Sequence, residues 1–277
     1  PHRVPIDHYE NFPVASVLLP AGLRKPVEVI YRFARTADDF ADEGTRPDQE
    51  RLMLLASYGD ELRMIERGER SRLPLFQALG EVIRAHQLPI QLFHDLLSAF
   101  AQDVTKKRYA DYGEVLDYSR RSANPVGRLL LALYKAATPQ HLRWSDNICS
   151  ALQIINFLQD IEIDYANGRI YMPQDELARF GISESQIARG EINDAWRAFM
   201  AFEVERTRRM LLAGAPLGQV LRGRIGLELR MIIAGGERIL RKIELAGYDV
   251  FRRRPVLRSV DWALMFARTF TLAPHDA

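Results

Sequence analysis

The stretch Gln153 to Asp164, QIINFLQDIEID, decides the fold. Its polar members Gln153, Asn156, Asp160 and Asp164 recur at three- and four-residue steps. At about 100° per residue those steps lie in one narrow stripe of a helix. The remaining positions, Ile154, Ile155, Phe157, Leu158, Ile161 and Ile163, make the helix apolar on most sides. Such a helix belongs in an interior. Two carboxylates are costly there unless each is paired or bound to a cation. The stretch therefore predicts a helix facing a buried polar cavity rather than solvent.

A second stretch repeats the arrangement. Tyr31 to Glu43 reads YRFARTADDFADE, and helical spacing stacks Tyr31, Arg35, Asp38 and Asp42 along one face. Asp38 and Asp42 stand one turn apart, a like-charge pair that costs an isolated helix a few tenths of a kcal/mol. Two such helices can face each other across one cavity. Carboxylate oxygens without His or Cys point to Mg²⁺, which binds through a few carboxylates, waters and substrate phosphates. Arginine beside them suits a diphosphate, which a guanidinium grips with two parallel hydrogen bonds. The alternative for either stripe alone is a set of capped or salt-bridged helix acids.

Outward from these stretches the pattern stays helical. Pro-punctuated residues 1–22 read as an irregular arm with a short helix at Val14 to Leu19. Pro26 suits a helix start, and that helix runs to Glu43, where Gly44 stops it. Amphipathic segments follow at Pro47 to Arg67, Leu73 to His86 and Pro89 to Gln102, with Asp103 to Gly113 as a polar connection. Val115 to Ala137 predicts one long helix kinked at Pro125, and Pro139 opens another that runs to about Tyr165. Asn167, Gly168 and Pro173 make GRIYMP an extended link. Short helices are expected at Gln174 to Phe180 and Ser183 to Ala188. Longer ones are expected at Asn193 to Leu212 and at Leu217 to Ala246, where Gly235-Gly236 reads as a soft point. A last helix at Ser259 to Phe270 precedes a tail, 271–277. No stretch alternates like a strand. The expectation is one all-α domain over residues 1–277.

Composition bounds the function. A formal net charge of +2 gives no footprint for nucleic acid, and arginine dominates the 38 basic residues. Cys149 is the only cysteine, which excludes an intrachain disulfide and a cysteine-based zinc cluster. It lies in an apolar helical run and reads as structural, as do His86, His94 and His141. The first residues lack the order of a signal peptide. Apolar runs such as Leu129 to Tyr134 fall far short of the ~20 residues that span a bilayer. A cytoplasmic protein is expected. Arg252-Arg253-Arg254 reads as a solvated cluster, or as a peripheral contact with anionic lipid at the inner face of the membrane.

The ordered set of motifs resembles the squalene and phytoene synthase family over nearly the whole chain. Tyr31, Arg35 and Asp38 match its YxxxRxxD pattern, and Asp38 to Asp42 and Asp160 to Asp164 match its two DxxxD motifs. Gln153, Asn156 and Asp160 match QxxNxxxD, Arg169-Ile170-Tyr171 matches RIY, and Tyr118 with Gly127 resembles its tyrosine-to-glycine segment. Gly247 to Phe251 looks like the shared C-terminal motif. The opening HYENFPVAS, the segment SRRSANPVGR and NFLQD are most like the bacterial hopanoid-pathway branch. Two departures stand out: Gln159 replaces an arginine before the second motif, and Ala123, Asn124 and Pro125 replace a valine-alanine-glycine stretch.

The resemblance implies a helical bundle of the isoprenoid synthase type around a central cavity, acting on an isoprenoid diphosphate. It implies that Asp38, Asp42, Asp160 and Asp164 hold Mg²⁺ and that Arg35 and Arg169 contact the departing diphosphate. Tyr118 is implied as a catalytic residue. Asn11, Phe12, Tyr31, Gln153, Asn156, Gln159, Tyr171 and Tyr248 are implied around the substrate, with aromatic faces against a carbocation. The branch resemblance implies ionisation of presqualene diphosphate and capture of the cation by water, with Gln159 placed to admit or position that water. Head-to-head condensation of farnesyl diphosphate is the alternative, and a non-catalytic helical assembly protein a remote one. The sequence says nothing of oligomeric state.

Overall fold

A computed structural model describes residues 19–42, 46–258 and 261, with the Asp42 side chain excepted. Thirteen helices occur among them: α1 (Ala21–Asp42), α2 (Asp48–Glu66), α3 (Pro74–His86), α4 (Gln91–Thr105), α5 (Tyr112–Ser122), α6 (Asn124–Leu133), α7 (Pro139–Gln159), α8 (Ile161–Ala166), α9 (Gln174–Arg179), α10 (Glu184–Ala188), α11 (Asp194–Gly214), α12 (Leu217–Val220) and α13 (Arg224–Leu245). The fold is all-α. An isolated parallel bridge, Arg108 with Ile170, ties the α4–α5 connection to the extended RIY segment. No helix among the described residues is long and apolar enough to cross a membrane.

Helix α7 is the axis of the larger half. It packs on α5, α6, α11 and α13, and Ala151, Leu152, Ile154, Ile155, Phe157 and Leu158 on it are all buried. One apolar cluster gathers α5, α7 and α9–α13 around these residues, with Trp196, Phe199 and Leu240. A second cluster unites α1–α4 around Phe33, Leu62, Phe76, Phe93 and Leu96. The rings of Phe33, Tyr58, Phe76 and Phe93 meet there at centroid separations of 4.7–5.9 Å. Leu131 of α6 joins the first cluster, whereas Leu129 and Leu133 join the second.

Several boundaries differ from the sequence expectation. Helix α1 begins at Ala21 and places Pro26 in its second turn, because Leu23 and Val27 already belong to the packed face. The expected kinked helix at Val115 to Ala137 is two helices. Helix α5 starts earlier, at Tyr112, since the Asp111 side chain accepts from Glu114 N (2.9 Å) and Glu114 accepts from Ala110 N (2.7 Å). It ends before Ala123, and Pro125 sits in the first turn of α6, where its missing N–H costs nothing. The buried Asn124 side chain accepts through Oδ1 from Ser150 Oγ at 2.9 Å, which anchors the start of α6 to α7.

The helix expected from Pro139 to Tyr165 breaks at Asp160 (φ −107°, ψ 14°). Hydrogen bonds from Asp160 N to Asn156 O (3.0 Å) and from Asp164 N to Asp160 O (2.7 Å) bridge the break and keep the stripe in register. Ile163, expected to be internal, is 49% exposed on α8. The segment 217–246 divides at Leu221 to Gly223, where the chain turns so tightly that a Cβ on Gly226 would lie 1.8 Å from Leu221 O. Gly235-Gly236 is no soft point. Both are buried inside α13, and a Cβ on Gly236 would meet Leu211, Ile155 and Leu152 at 3.0–3.2 Å. The helices expected at Val14 to Leu19 and Ser259 to Phe270 fall outside the described residues, except Leu19 and Asp261.

Candidate active site

On α1 the stripe behaves as its spacing requires. Tyr31, Arg35 and Asp38 are half-buried, whereas Phe33, Ala34, Ala37 and Ala41 between them are in the core. Arg35 lies 2.8 Å from Asp39 and 3.8 Å from Asp38. Both carboxylates thus lie within ion-pair reach of one guanidinium. Asp42 is the last residue of α1. Asn11 and Phe12 lie outside the described residues.

On α7 the contrast is sharp: Gln153, Asn156 and Asp160 are half-buried in a helix whose intervening positions are buried. Asp160 closes α7, and Asp164, one turn on, lies on α8. Asp160 is not free for a ligand alone. Arg254 takes both its oxygens, Nη2 to Oδ2 at 3.1 Å and Nε to Oδ1 closer still. The arginine run, expected as a solvated or lipid-facing cluster, is therefore divided. Only Arg252 and Arg253 are exposed.

Gln159 is fully buried and points off the stripe. Its Nε2 donates to Pro255 O at 2.5 Å, and its Oε1 has no protein partner. It thus pins the chain that carries Arg254, a role its position in the sequence did not suggest.

Tyr118 and Tyr171 meet at Asp103, a residue of the expected polar connection. Tyr118 donates to Asp103 Oδ2 at 2.6 Å, and Tyr171 donates to Asp103 Oδ1 at 3.2 Å. Asp103 is 6% exposed, in the last turn of α4. Arg169 Nη2 reaches the Asp103 carbonyl (3.4 Å), and Arg169 N donates to Asp164 O (2.8 Å), so the second acidic stripe adjoins this cluster. Tyr171 stacks on Phe157 at 3.8 Å with planes 5° apart, and Tyr109 and Tyr118 complete an aromatic wall. Burial and the neighbouring Asp103 push both Tyr118 and Tyr171 far above the usual phenol range. These phenols are therefore neutral hydrogen-bond donors, not bases.

Tyr248 is placed differently from the others. It caps α13 in the left-handed region (φ 66°), and its carbonyl accepts from the Trp196 indole at 3.0 Å. Of the described residues expected around the substrate, Tyr31 lines the cavity described next, whereas Tyr118, Gln153, Asn156, Gln159, Tyr171 and Tyr248 do not.

An apolar cavity of about 110 Å³ runs between the two halves. Tyr31, Ile30 and Ala34 of α1 form one side, Ser145, Ile148 and Cys149 of α7 another, and Leu229 and Ile232 of α13 a third. Cys149 lies three turns before Asp160, roughly 16 Å at 1.5 Å per residue. The greasy space thus extends along α7 away from the acids. Gly127 is part of its wall, because a Cβ there would come within 2.3 Å of Ser145 Oγ and 2.6 Å of Cys149 Sγ.

A divalent cation would have to be held here in one specific way. Among the described residues, no three His, Cys, Asp or Glu side chains converge as a ready-made cage. Carboxylates on separate helices suit a cation completed by waters and phosphate oxygens, the habit of Mg²⁺ rather than of zinc.

The helices and cavity define an all-α isoprenoid-synthase-type fold. The squalene/phytoene synthase family model matches residues 7–261, and the chain belongs to that family. It is 34% identical over 259 residues to a hydroxysqualene synthase of Rhodopseudomonas palustris, covering 92% of this chain and 86% of that protein. It is 32% identical over 255 residues to a phytoene synthase of Cereibacter sphaeroides, covering 88% and 71%. The crystal structure of a squalene synthase from Alicyclobacillus acidocaldarius superposes with a TM-score of 0.81 at 37% identity, covering 87% of this chain and 90% of that one. The protein is an enzyme of this family.

Proposed function

We propose that the chain ionises presqualene diphosphate and that water captures the cation, giving hydroxysqualene and diphosphate, the activity of a hydroxysqualene synthase. The observation that carries this reading is an apolar cavity that Tyr31 of the first stripe lines and that α7, the helix of the second stripe, walls along its length, a pairing suited to a hydrocarbon with an anionic head. The likeness to hydroxysqualene synthases at 32–34% identity supports the choice of product.

Asp38, Asp42, Asp160 and Asp164 are the residues that would hold Mg²⁺, which supplies Lewis-acid stabilisation of the leaving group. Arg35 and Arg169 add guanidinium contacts to the departing diphosphate. Gln153 and Asn156 line the same face with neutral donors. Tyr31, which lines the apolar cavity, is the ring proposed to meet positive charge there, and the buried cluster of Tyr171, Phe157 and Tyr118 backs the second stripe through Asp103 and Arg169. Gln159, buried behind the stripe with its Oε1 lacking a protein partner, is proposed to act on the water step from there rather than by lining the cavity. Arg252 and Arg253 are available to anionic head groups of a membrane on the cytoplasmic side, which salt-sensitive liposome binding tests.

The deciding experiment incubates purified protein with Mg²⁺ and either presqualene or farnesyl diphosphate, without a nicotinamide cofactor. Hydroxysqualene from presqualene diphosphate alone is expected. Product from farnesyl diphosphate alone would overturn the assignment in favour of head-to-head condensation, the reading that the 32% identity to a phytoene synthase favours. Asp38→Ala and Asp164→Ala are expected to abolish turnover with helicity unchanged. Gln159→Arg is expected to change the ratio of alcohol to hydrocarbon, and an unchanged ratio would remove Gln159 from the water step.

A further inference from the structure

Beyond α13 the chain folds back as a strap. Asp249 fixes its start by accepting from Arg252 N (3.1 Å) and Arg252 Nη1 (2.9 Å). Two consecutive strap residues then meet two consecutive residues of α7. Arg254 holds the Asp160 carboxylate with two hydrogen bonds, and Pro255 O takes the Gln159 amide. Further on, Val256 O accepts from Lys242 Nζ (2.6 Å), and the buried Asp261 binds Arg238 (2.7 Å), Lys242 and the Arg258 amide (2.7 Å). The strap is thus nailed to α13 by one set of bonds and to the acidic end of α7 by another.

Those two sets differ in kind. The α13 anchors are independent of the candidate active site. The α7 anchor uses both oxygens of a carboxylate proposed to take a divalent cation, with side chains of Asp160 and Arg254 only 13% and 30% exposed. A guanidinium in that geometry and a divalent cation cannot share the carboxylate without close cation–cation repulsion in a poorly hydrated place. We propose that Arg254 is a positioning residue that orients Asp160 and competes with the cation for it, so that cation loading at the second acidic stripe and docking of the strap at α7 oppose each other. The inference rests on the proposed reading that Asp160 is a metal ligand. The opposition is reciprocal: whatever factor the docked strap takes from cation affinity, the cation takes from docking.

The test uses Mn²⁺ alone as probe, with no substrate. Free Mn²⁺ is followed by electron paramagnetic resonance in wild type, Arg254→Gln, Arg254→Lys and Asp160→Asn. Hydrogen exchange of peptides spanning 251–258 is measured in parallel. Removing the guanidinium is expected to tighten Mn²⁺ binding by about tenfold, and Arg254→Lys, a point charge that cannot grip both oxygens, to give an intermediate value. In wild type the strap is expected to exchange faster as Mn²⁺ is added. In Arg254→Gln it is expected to exchange fast already, without responding to Mn²⁺. Unchanged Mn²⁺ affinity in Arg254→Gln, with affinity lowered in Asp160→Asn, would overturn the competition while leaving Asp160 as a ligand. Equal Mn²⁺ binding by wild type and Asp160→Asn would overturn the ligand assignment and the competition with it.

Discussion

Replacing Tyr118 by phenylalanine removes one oxygen and leaves the aromatic wall in place. The ring contacts with Tyr109, Phe157 and Tyr171, at centroid separations of 5.8–6.0 Å, need no hydroxyl. What is lost is a 2.6 Å hydrogen bond to the buried Asp103 carboxylate. A hydrogen bond to a charged group contributes about 1.5–3 kcal/mol, and an acceptor stripped of its donor in the interior costs toward the upper end. Tyr118→Phe is therefore expected to lower stability by about 2 kcal/mol. Tyr171→Phe removes the longer 3.2 Å bond to the other oxygen and is expected to cost about half as much. Asp103→Asn keeps one acceptor but turns an amide toward the second phenol. A cycle of Tyr118→Phe, Asp103→Asn and the double variant should then show a coupling of about 1 kcal/mol. Urea unfolding followed by circular dichroism measures all of these. A Tyr118→Phe cost under about 0.5 kcal/mol, or a larger cost for Tyr171→Phe, would show that Asp103 does not organise the two phenols.

Other expectations are narrower. Gly127→Ala forces a methyl onto Ser145 Oγ and Cys149 Sγ and should destabilise by about 1–3 kcal/mol, more than the helix-propensity gain; a thermal melt checks this, and Ser145→Ala should restore part of the loss. Burial, and the Glu176 carboxyl that shares Arg206 with it, push Glu203 up to about 8. The folded chain then keeps a proton that the unfolded chain releases near 4.5, so this group's contribution to stability falls as pH rises through that window. Glu203→Gln should flatten the dependence of Tm on pH between 5 and 8, and parallel curves for the two proteins would refute it. Burial pushes the Cys149 thiol up to about 12, so it should resist a thiol reagent in the native protein and react stoichiometrically in urea; rapid native labelling would contradict this.

The α7 stripe was legible because it is a contrast: four polar residues at helical spacing within a run of Ile, Leu and Phe. The same contrast located Tyr31, Arg35 and Asp38 on α1. Asp103 carried no such signal. It is a single acid near a helix end, and its partners Tyr118 and Tyr171 stand on other elements, so only the assembled fold brings them together. Arg254 was hidden for a different reason. Three successive arginines look solvated, and which one turns inward depends on the Asp249–Arg252 turn and on Pro255 being held by Gln159. The break at Ala123 was half legible, since Pro125 forecast a disturbance but not that Asn124 would bond Ser150 and begin a new helix. The split at Asp160 had no sequence mark, as Asp is compatible with both a helix interior and its end.

The division of the core between two apolar clusters has a mechanical consequence. Helix α6 gives Leu131 to one and Leu129 and Leu133 to the other, and the cavity wall draws from both. A void inside a single close-packed body can grow only by straining its packing, whereas a void along a seam grows when the two bodies hinge apart with each interior intact. Capacity for guests of different girth is thus set by the compliance of the α6 joint, and an occupant that fills the seam fastens the halves to each other. Under increasing denaturant, the empty protein should lose its halves at separate midpoints and the filled one should lose them together.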